Sequence, residues 1–218
     1  FMEVEHFDNK VDIGVNTWSE VMTATGFTVA KGFSGGQGML IGPDTALGGR
    51  SVNTGYVTGS PHIDFQVTFV KTGIHYVWIL AYGMDGNSDS AHAGLDGKEI
   101  NTCDRMSGWN GAYQWSSNTM DSARSTFEVE EIGAHTVNIY MREDGMVFDK
   151  IVLTTNPDYT PADHGPAESS RGVPDYATGP IPADGATDLP RDVSLAWSPG
   201  PSAVAHDVYC GTVLSDVA

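Results

Sequence analysis

Positive charge is scarce in this chain: 11 Lys and Arg stand against 28 Asp and Glu, for a formal net charge of −17. Electrostatics therefore oppose duplex nucleic acid and an anionic membrane surface as partners, and favour neutral ligands and cations. Cysteine is nearly absent. Cys103 and Cys210 fall in segments that read as separate domains, so they offer neither a disulfide framework nor a zinc site and are expected as unpaired thiols. Long apolar runs are missing too, the longest being Val77 to Tyr82, far too short to span a bilayer. The opening FMEVEHF is not a charged-then-apolar leader, and the expectation is a piece of a larger secreted protein. Helical periodicity beyond a turn or two is lacking, as is any internal repeat.

What is present is turn chemistry and short strands. The 218 residues include 26 Gly and 11 Pro, with 10% aromatic and only 18% charged residues, a composition that favours an all-β fold. Ile63, Phe65, Val67 and Phe69 alternate with His62, Asp64, Gln66 and Thr68, the pattern of a half-buried antiparallel strand. His135, Val137, Ile139 and Met141 alternate in the same way, Phe127 and Val129 more briefly, and Gly133 is expected to turn a hairpin between those two stretches. HYVWILAYG from His75 is apolar on both faces and reads as a central strand, with Trp78 and Tyr82 on an outer face that another surface or a ligand covers. Trp18, Phe27, Phe33 and Trp78 are expected in the core. Strand signals recur between Gly, Asn and Asp clusters, which predicts an antiparallel, jelly-roll-like β-sandwich.

Composition divides the chain. Residues 1–156 are expected to form the sandwich, and 157–190, rich in Pro, Gly, Ala, Asp and Ser, a linker. Residues 191–218 resemble the start of a fibronectin type III domain, with Trp197 and Tyr209 in core positions, but are too few to complete one.

Glu3 and Glu5 sit on one side of the opening strand, and Asp149 opens a late strand whose Ile151 and Leu153 point inward. Carboxylates aimed the way core residues aim demand a cation or a basic partner. Calcium tying the two ends of one domain together is the favoured reading; salt bridges to Lys150 or Lys31 are the alternative, although Lys150, next to Asp149 on a strand, should face the other way.

The order of landmarks over residues 2–154, namely MEVEHF, FSGGQGM, SPHIDFQVTFVKTGIHYVWILAYG, DSAHAGLDG and GAHTVNIYMREDGMVFDKIVLT, resembles the family 6 and family 35 carbohydrate-binding modules. Modules of this kind are appended to enzymes that degrade algal and plant polysaccharides. The resemblance implies a structural calcium ion held by Glu3, Glu5 and Asp149. Two positions depart from it. Leu80 stands where those modules commonly carry an Arg, and no Asn directly precedes Asp149.

Sugar recognition needs flat aromatic faces for pyranose C–H surfaces and planar polar groups for hydroxyls. GWNGAYQW supplies Trp109, Asn110, Tyr113 and Trp115; the resemblance implies a stacking Trp in this region, making Trp109 the first choice. Arg142, Glu143 and Asp144 offer a guanidinium and two acceptors at a turn, either for a ligand or paired among themselves. GMDGNSDSAH adds Asp85, Asn87 and His92; its D-x-N-x-D spacing lacks the later Glu of an EF-hand, and a solvated turn is the plainer reading. Glu143 with Asp144, and Asp85 with Asp89, are the nominal glycosidase pairs, but adjacent residues on one turn do not straddle a bond, and no G-x-S-x-G or H-E-x-x-H motif appears.

The expectation is therefore a non-catalytic, secreted polysaccharide-binding module, monomeric within a larger chain, that keeps an attached enzyme near its substrate. An algal galactan such as agar or porphyran, or plant xylan or pectin, is the expected class. A spacer or adhesion module with a protein-binding face is the alternative, and a glycoside hydrolase or polysaccharide lyase domain comes last.

Overall fold

The computed structural model describes residues 1–22, 32–45, 52–169, 178–183 and 185–198. The chain divides into two compact units, Phe1–Ser170 and Arg171–Ala218.

Among the described residues the first unit holds fourteen strands: β1 (Met2–Glu3), β2 (Asn9–Val11), β3 (Thr17–Met22), β4 (Gln37–Gly42), β5 (His62–Phe69), β6 (Gly73–Tyr82), β7 (Ser90–Leu95), β8 (Lys98–Glu99), β9 (Met106–Ser107), β10 (Tyr113–Ser116), β11 (Asn118–Thr119), β12 (Thr126–Val129), β13 (Gly133–Met141) and β14 (Val147–Thr154). One sheet runs β10-β6-β14-β4-β3, with β1 added on β14 and β12 on β6. The other runs β11-β9-β7-β13-β5-β2, with β8 on β7. The pairings between these strands are antiparallel, and the predicted all-β sandwich is what forms.

Alternation decides which residues fill the space between the sheets. Ile63 and Phe65 of β5 face Ile139 and Val137 of β13, and all four are buried in the main core with Val77, Ile79 and Ala81 of β6. Trp18, Met39, Phe148 and Ile151 complete that layer from the first sheet. Phe33, expected in this core, instead packs with Val21, Val147, Leu40, Tyr82 and Tyr113 on the outer face of the first sheet. Gly38 allows this, because a side chain there would meet the Phe33 ring and the Phe148 carbonyl. Trp78 is half-buried, and Phe27 lies outside the described residues.

The expected hairpin at Gly133 does not form. β12 pairs with β6 in one sheet, whereas β13 pairs with β5 and β7 in the other, so the chain crosses between layers there. Period-two patterning fixes which face a residue takes and leaves the strand's partner open.

The sandwich unit also extends past 156. Residues 157–169, expected as linker, form a strap held by side chains of the outer sheet face. Arg124 donates to the Pro157 carbonyl at 2.7 Å and lies 4.6 Å above the Tyr76 ring, and Trp115 Nε1 donates to the Asp163 carbonyl at 2.9 Å. Phe1 meets Tyr159 edge to face at 6.3 Å, and the Ser169 N–H donates to the Phe1 carbonyl.

In the second unit, β15 (Thr178–Ile181) pairs with β16 (Ala196–Ser198). Trp197, expected in a core, is exposed. Tyr209 and Cys210 lie outside the described residues, and Cys103 is a buried free thiol whose pKa burial pushes up.

Candidate functional site

The carboxylates of Glu3, Glu5 and Asp149 converge, with one oxygen of each lying within 4.8 Å of the others. Three local features bring them together. β1 pairs Glu3 with Lys150, and the following turn of 3₁₀ helix, Val4–His6, swings Glu5 toward the same spot. A β-bulge between Phe148 and Lys150 then inserts Asp149 as an extra residue. Phe148 and Ile151 both face the core, so Asp149 and Lys150 both turn outward. The cluster therefore sits on the outer face of the first sheet, beneath Phe33 and Tyr113, and not in the inward direction that simple alternation predicted.

Glu3 and Asp149 each have one oxygen hydrogen-bonded to the protein. Glu3 Oε1 accepts from Ser34 Oγ at 2.8 Å and from Lys150 Nζ at 2.7 Å. Asp149 Oδ2 accepts from the Ser34 N–H at 3.0 Å and from the Tyr113 hydroxyl. Glu5 Oε1 packs against Gly35, where φ is +63° and a Cβ would come within 2.6 Å of that oxygen. The second oxygens, Glu3 Oε2, Glu5 Oε2 and Asp149 Oδ1, are buried without a hydrogen-bond partner. Lys150 is thus a partner after all, but it meets only one of the three acids. Burial, together with the charges of Glu3 and Asp149, raises the Glu5 pKa to about 7. Burial likewise raises that of Asp149 to about 6, against the hydrogen bonds from Tyr113 and Ser34. Three buried, unpartnered carboxylate oxygens suit a hard cation.

The strap closes over this cage. Glu168 accepts from the Glu3 N–H at 3.3 Å and lies 2.6 Å from His6 Nδ1. His164 donates to the Gly32 carbonyl at 2.9 Å, and its ring meets Tyr113 edge to face at 6.3 Å.

The residues predicted to contact sugar separate into several environments. Trp109 is wholly buried in the main core, its indole N–H donating to the Gln114 carbonyl at 3.0 Å. The loop that carries it packs on Gly83, where a Cβ would clash with the Ser88 and Trp109 carbonyls. Trp109 lies outside the β10 alternation and presents no face for stacking. Tyr113 and Trp115 share the outer face of the first sheet, both half-buried, with Tyr113 tied to Asp149.

Arg142 and Glu143 are buried and pair with each other through Arg142 Nη1 and Glu143 Oε1. Arg142 Nε also donates to Asn53 at 3.1 Å, and Glu143 Oε2 accepts from the Asp89 N–H at 3.1 Å and from Ser90 Oγ. Burial and the adjoining Glu143 raise the Asp89 pKa. Asp144, also buried, accepts from Thr45 at 3.0 Å and Asn16 at 3.4 Å. These acids anchor the loop roots and do not project from them. His92 is buried as well, stacked on Tyr56 at 3.9 Å, donating from Nε2 to the Val52 carbonyl and accepting the Arg105 N–H at Nδ1. Its pKa is lowered, chiefly by burial.

Asp85, Asn87 and Asn110 are exposed. Asp85 Oδ1 accepts the Asn87 N–H at 2.8 Å, so the D-x-N-x-D stretch closes as a turn. Gly83 pairs with Asn110 in a parallel bridge, which brings the two loops side by side at the end of β6 and β10.

Residues 2–168 match the glycosyl hydrolase family 115 C-terminal domain. The chain belongs to that family. The match spans the cage and the strap together and ends two residues short of the end of the first compact unit. This makes the sandwich a carbohydrate-associated accessory domain.

An uncharacterized protein of Formosa agariphila is 32% identical over 113 residues, covering 48% of this chain and 27% of that protein. The chain thus spans about a quarter of the relative it matches. Among solved structures, the Podospora anserina GH26-CBM35 β-(1,4)-mannanase is 14% identical with a TM-score of 0.44, over 73% of this chain and 28% of that one. A Phanerochaete chrysosporium exo-β-1,3-galactanase is 11% identical with a TM-score of 0.41, over 70% of this chain and 28% of that one.

Two features of this family 115 C-terminal domain escaped the sequence reading. The bulge at Asp149 carries no compositional mark, and the strap is fixed in part by its backbone carbonyls, which any residue supplies.

Proposed function

We propose that this domain is a non-catalytic polysaccharide-binding module of a larger secreted carbohydrate-active enzyme, with calcium in the Glu3, Glu5 and Asp149 cage. The observation that carries the reading is the family match over residues 2–168. Sugar contact is assigned to the end of the sandwich where exposed Asp85, Asn87 and Asn110 adjoin the half-buried rings of Tyr82 and Tyr113, which pair across β6 and β10. Planar amides and carboxylates there meet hydroxyls, and the tyrosines offer apolar surface. Arg142, Glu143 and Asp144 hold that surface from beneath. Calcium, a hard ion that takes carboxylate oxygens, would be held by the three unpartnered oxygens and would supply a structural tie between the first strand and the last.

A second reading, a spacer that presents a protein-binding face, is favoured by one observation: Arg124, which holds the strap, lies over Tyr76 and Trp78, and the strap itself bonds Trp115 on the same side of the sheet. Affinity electrophoresis of the whole chain through gels of agar, porphyran, xylan and pectin separates the two. Retardation by one polymer, weakened in Asn110→Ala and Tyr82→Ala, supports the binding module. Unretarded migration in every gel supports the spacer.

A further inference from the structure

We propose that Lys150 sets the charge of the carboxylate cage and thereby its preference for divalent over trivalent cations. The inference rests on the reading of the cage as a cation site. Lys150 is 2% exposed, and its ammonium lies 2.7 Å from Glu3 Oε1 and 3.1 Å from Ser34 Oγ. Ser34 in turn donates through Oγ to Glu3 and through its backbone N–H to Asp149. The Ser34 hydroxyl and the Lys150 ammonium therefore hold Glu3 Oε1, the Ser34 N–H and the Tyr113 hydroxyl hold Asp149 Oδ2, and Glu3 Oε2, Glu5 Oε2 and Asp149 Oδ1 are left buried without a partner.

Three ionised carboxylates and one ammonium sum to a formal charge of −2. A divalent ion neutralises that sum, whereas a trivalent ion leaves a buried positive excess, which is costly in a site of low dielectric. Lys150 cannot itself be a ligand, because an ammonium has no acceptor. Its position across Glu3 lets it oppose any ion in the cage by an amount that grows with the charge of that ion. Removing it strengthens cation binding generally, and that of trivalent ions most. The bulge is what brings Asp149 to the face that Lys150 occupies.

The test compares calcium affinity by calorimetry with terbium affinity by luminescence, the latter sensitised by Tyr113, whose hydroxyl touches Asp149. The whole chain is used as wild type, Lys150→Met and Lys150→Arg. Lys150→Met is expected to bind calcium on the order of tenfold more tightly than wild type, and terbium to gain by a larger factor, so that the terbium-to-calcium ratio rises. Lys150→Arg keeps the charge and is expected to keep the wild-type ratio. An unchanged ratio in Lys150→Met, or parallel weakening of both ions, overturns the proposal and leaves Lys150 as a structural tie. If Lys150→Met does not fold, a changed ratio in Lys150→Arg overturns it instead. Absence of calcium binding by the folded wild type overturns the cation reading itself, a result distinct from the others.

Discussion

Glu168 Oε1 accepts the backbone N–H of Glu3 at 3.3 Å, joining the end of the strap to the strand that supplies the first cage carboxylate. His164 and Tyr113 make a second link on the Asp149 side. A cation in the cage and the docked strap should therefore stabilise each other, as two events that order the same residues. Hydrogen exchange over residues 157–169 is expected to quicken on chelation or in Asp149→Asn. Equal protection with and without cation would uncouple the strap from the cage.

Gly35 adopts φ +63°, and a Cβ there would fall 2.6 Å from Glu5 Oε1. Gly35→Ala is expected to cost about 1–2 kcal/mol from backbone strain alone, with a further loss seen only when cation is present because Glu5 is displaced. Chemical denaturation in calcium and in chelator measures both parts.

Trp109 fills the core between the sheets. Trp109→Ala is expected to lower stability by about 3–5 kcal/mol, as for other large buried aromatics, and to lose any ligand binding through unfolding. Asn110→Ala, at the exposed neighbouring position, is expected to stay within about 0.5 kcal/mol of wild type. Thermal melts distinguish these outcomes from those of a surface-stacking Trp109.

Two histidines move in opposite directions. His92 is held below the usual 6.5 by burial, so below that pH the unfolded chain binds a proton that the folded one resists. Its contribution to stability is present above 6.5 and lost as the pH falls. His135 is raised, first by its 2.8 Å contact with Asp96, so its contribution is present below 6.5 and lost as the pH rises through its folded value. NMR titration of the two rings should bracket 6.5, with His92→Gln removing the acid-side part of the loss.

Much of the sandwich was legible because its signals are local. Ile63 and Phe65, and Val137 and Ile139, alternate with polar residues and are buried as that pattern requires. The acidic trio was legible because carboxylates at such positions need a partner. What failed depends on register or on backbone. The bulge reversed the direction of Asp149 and put it on the same face as Lys150, and the β12-to-β13 crossover replaced a hairpin. The Pro-rich strap is bound partly through the backbone carbonyls of Pro157 and Asp163, which leave no imprint on residue type.

The central claim is that Glu3, Glu5 and Asp149 form one cation site joining the ends of the sandwich. Native mass spectrometry of the whole chain, stripped with chelator and then returned to calcium, tests it most directly. The account predicts one calcium ion per chain in the wild type and none in Asp149→Asn at the same free concentration. Retention of no ion by the wild type, or of the same ion by the variant, would contradict it.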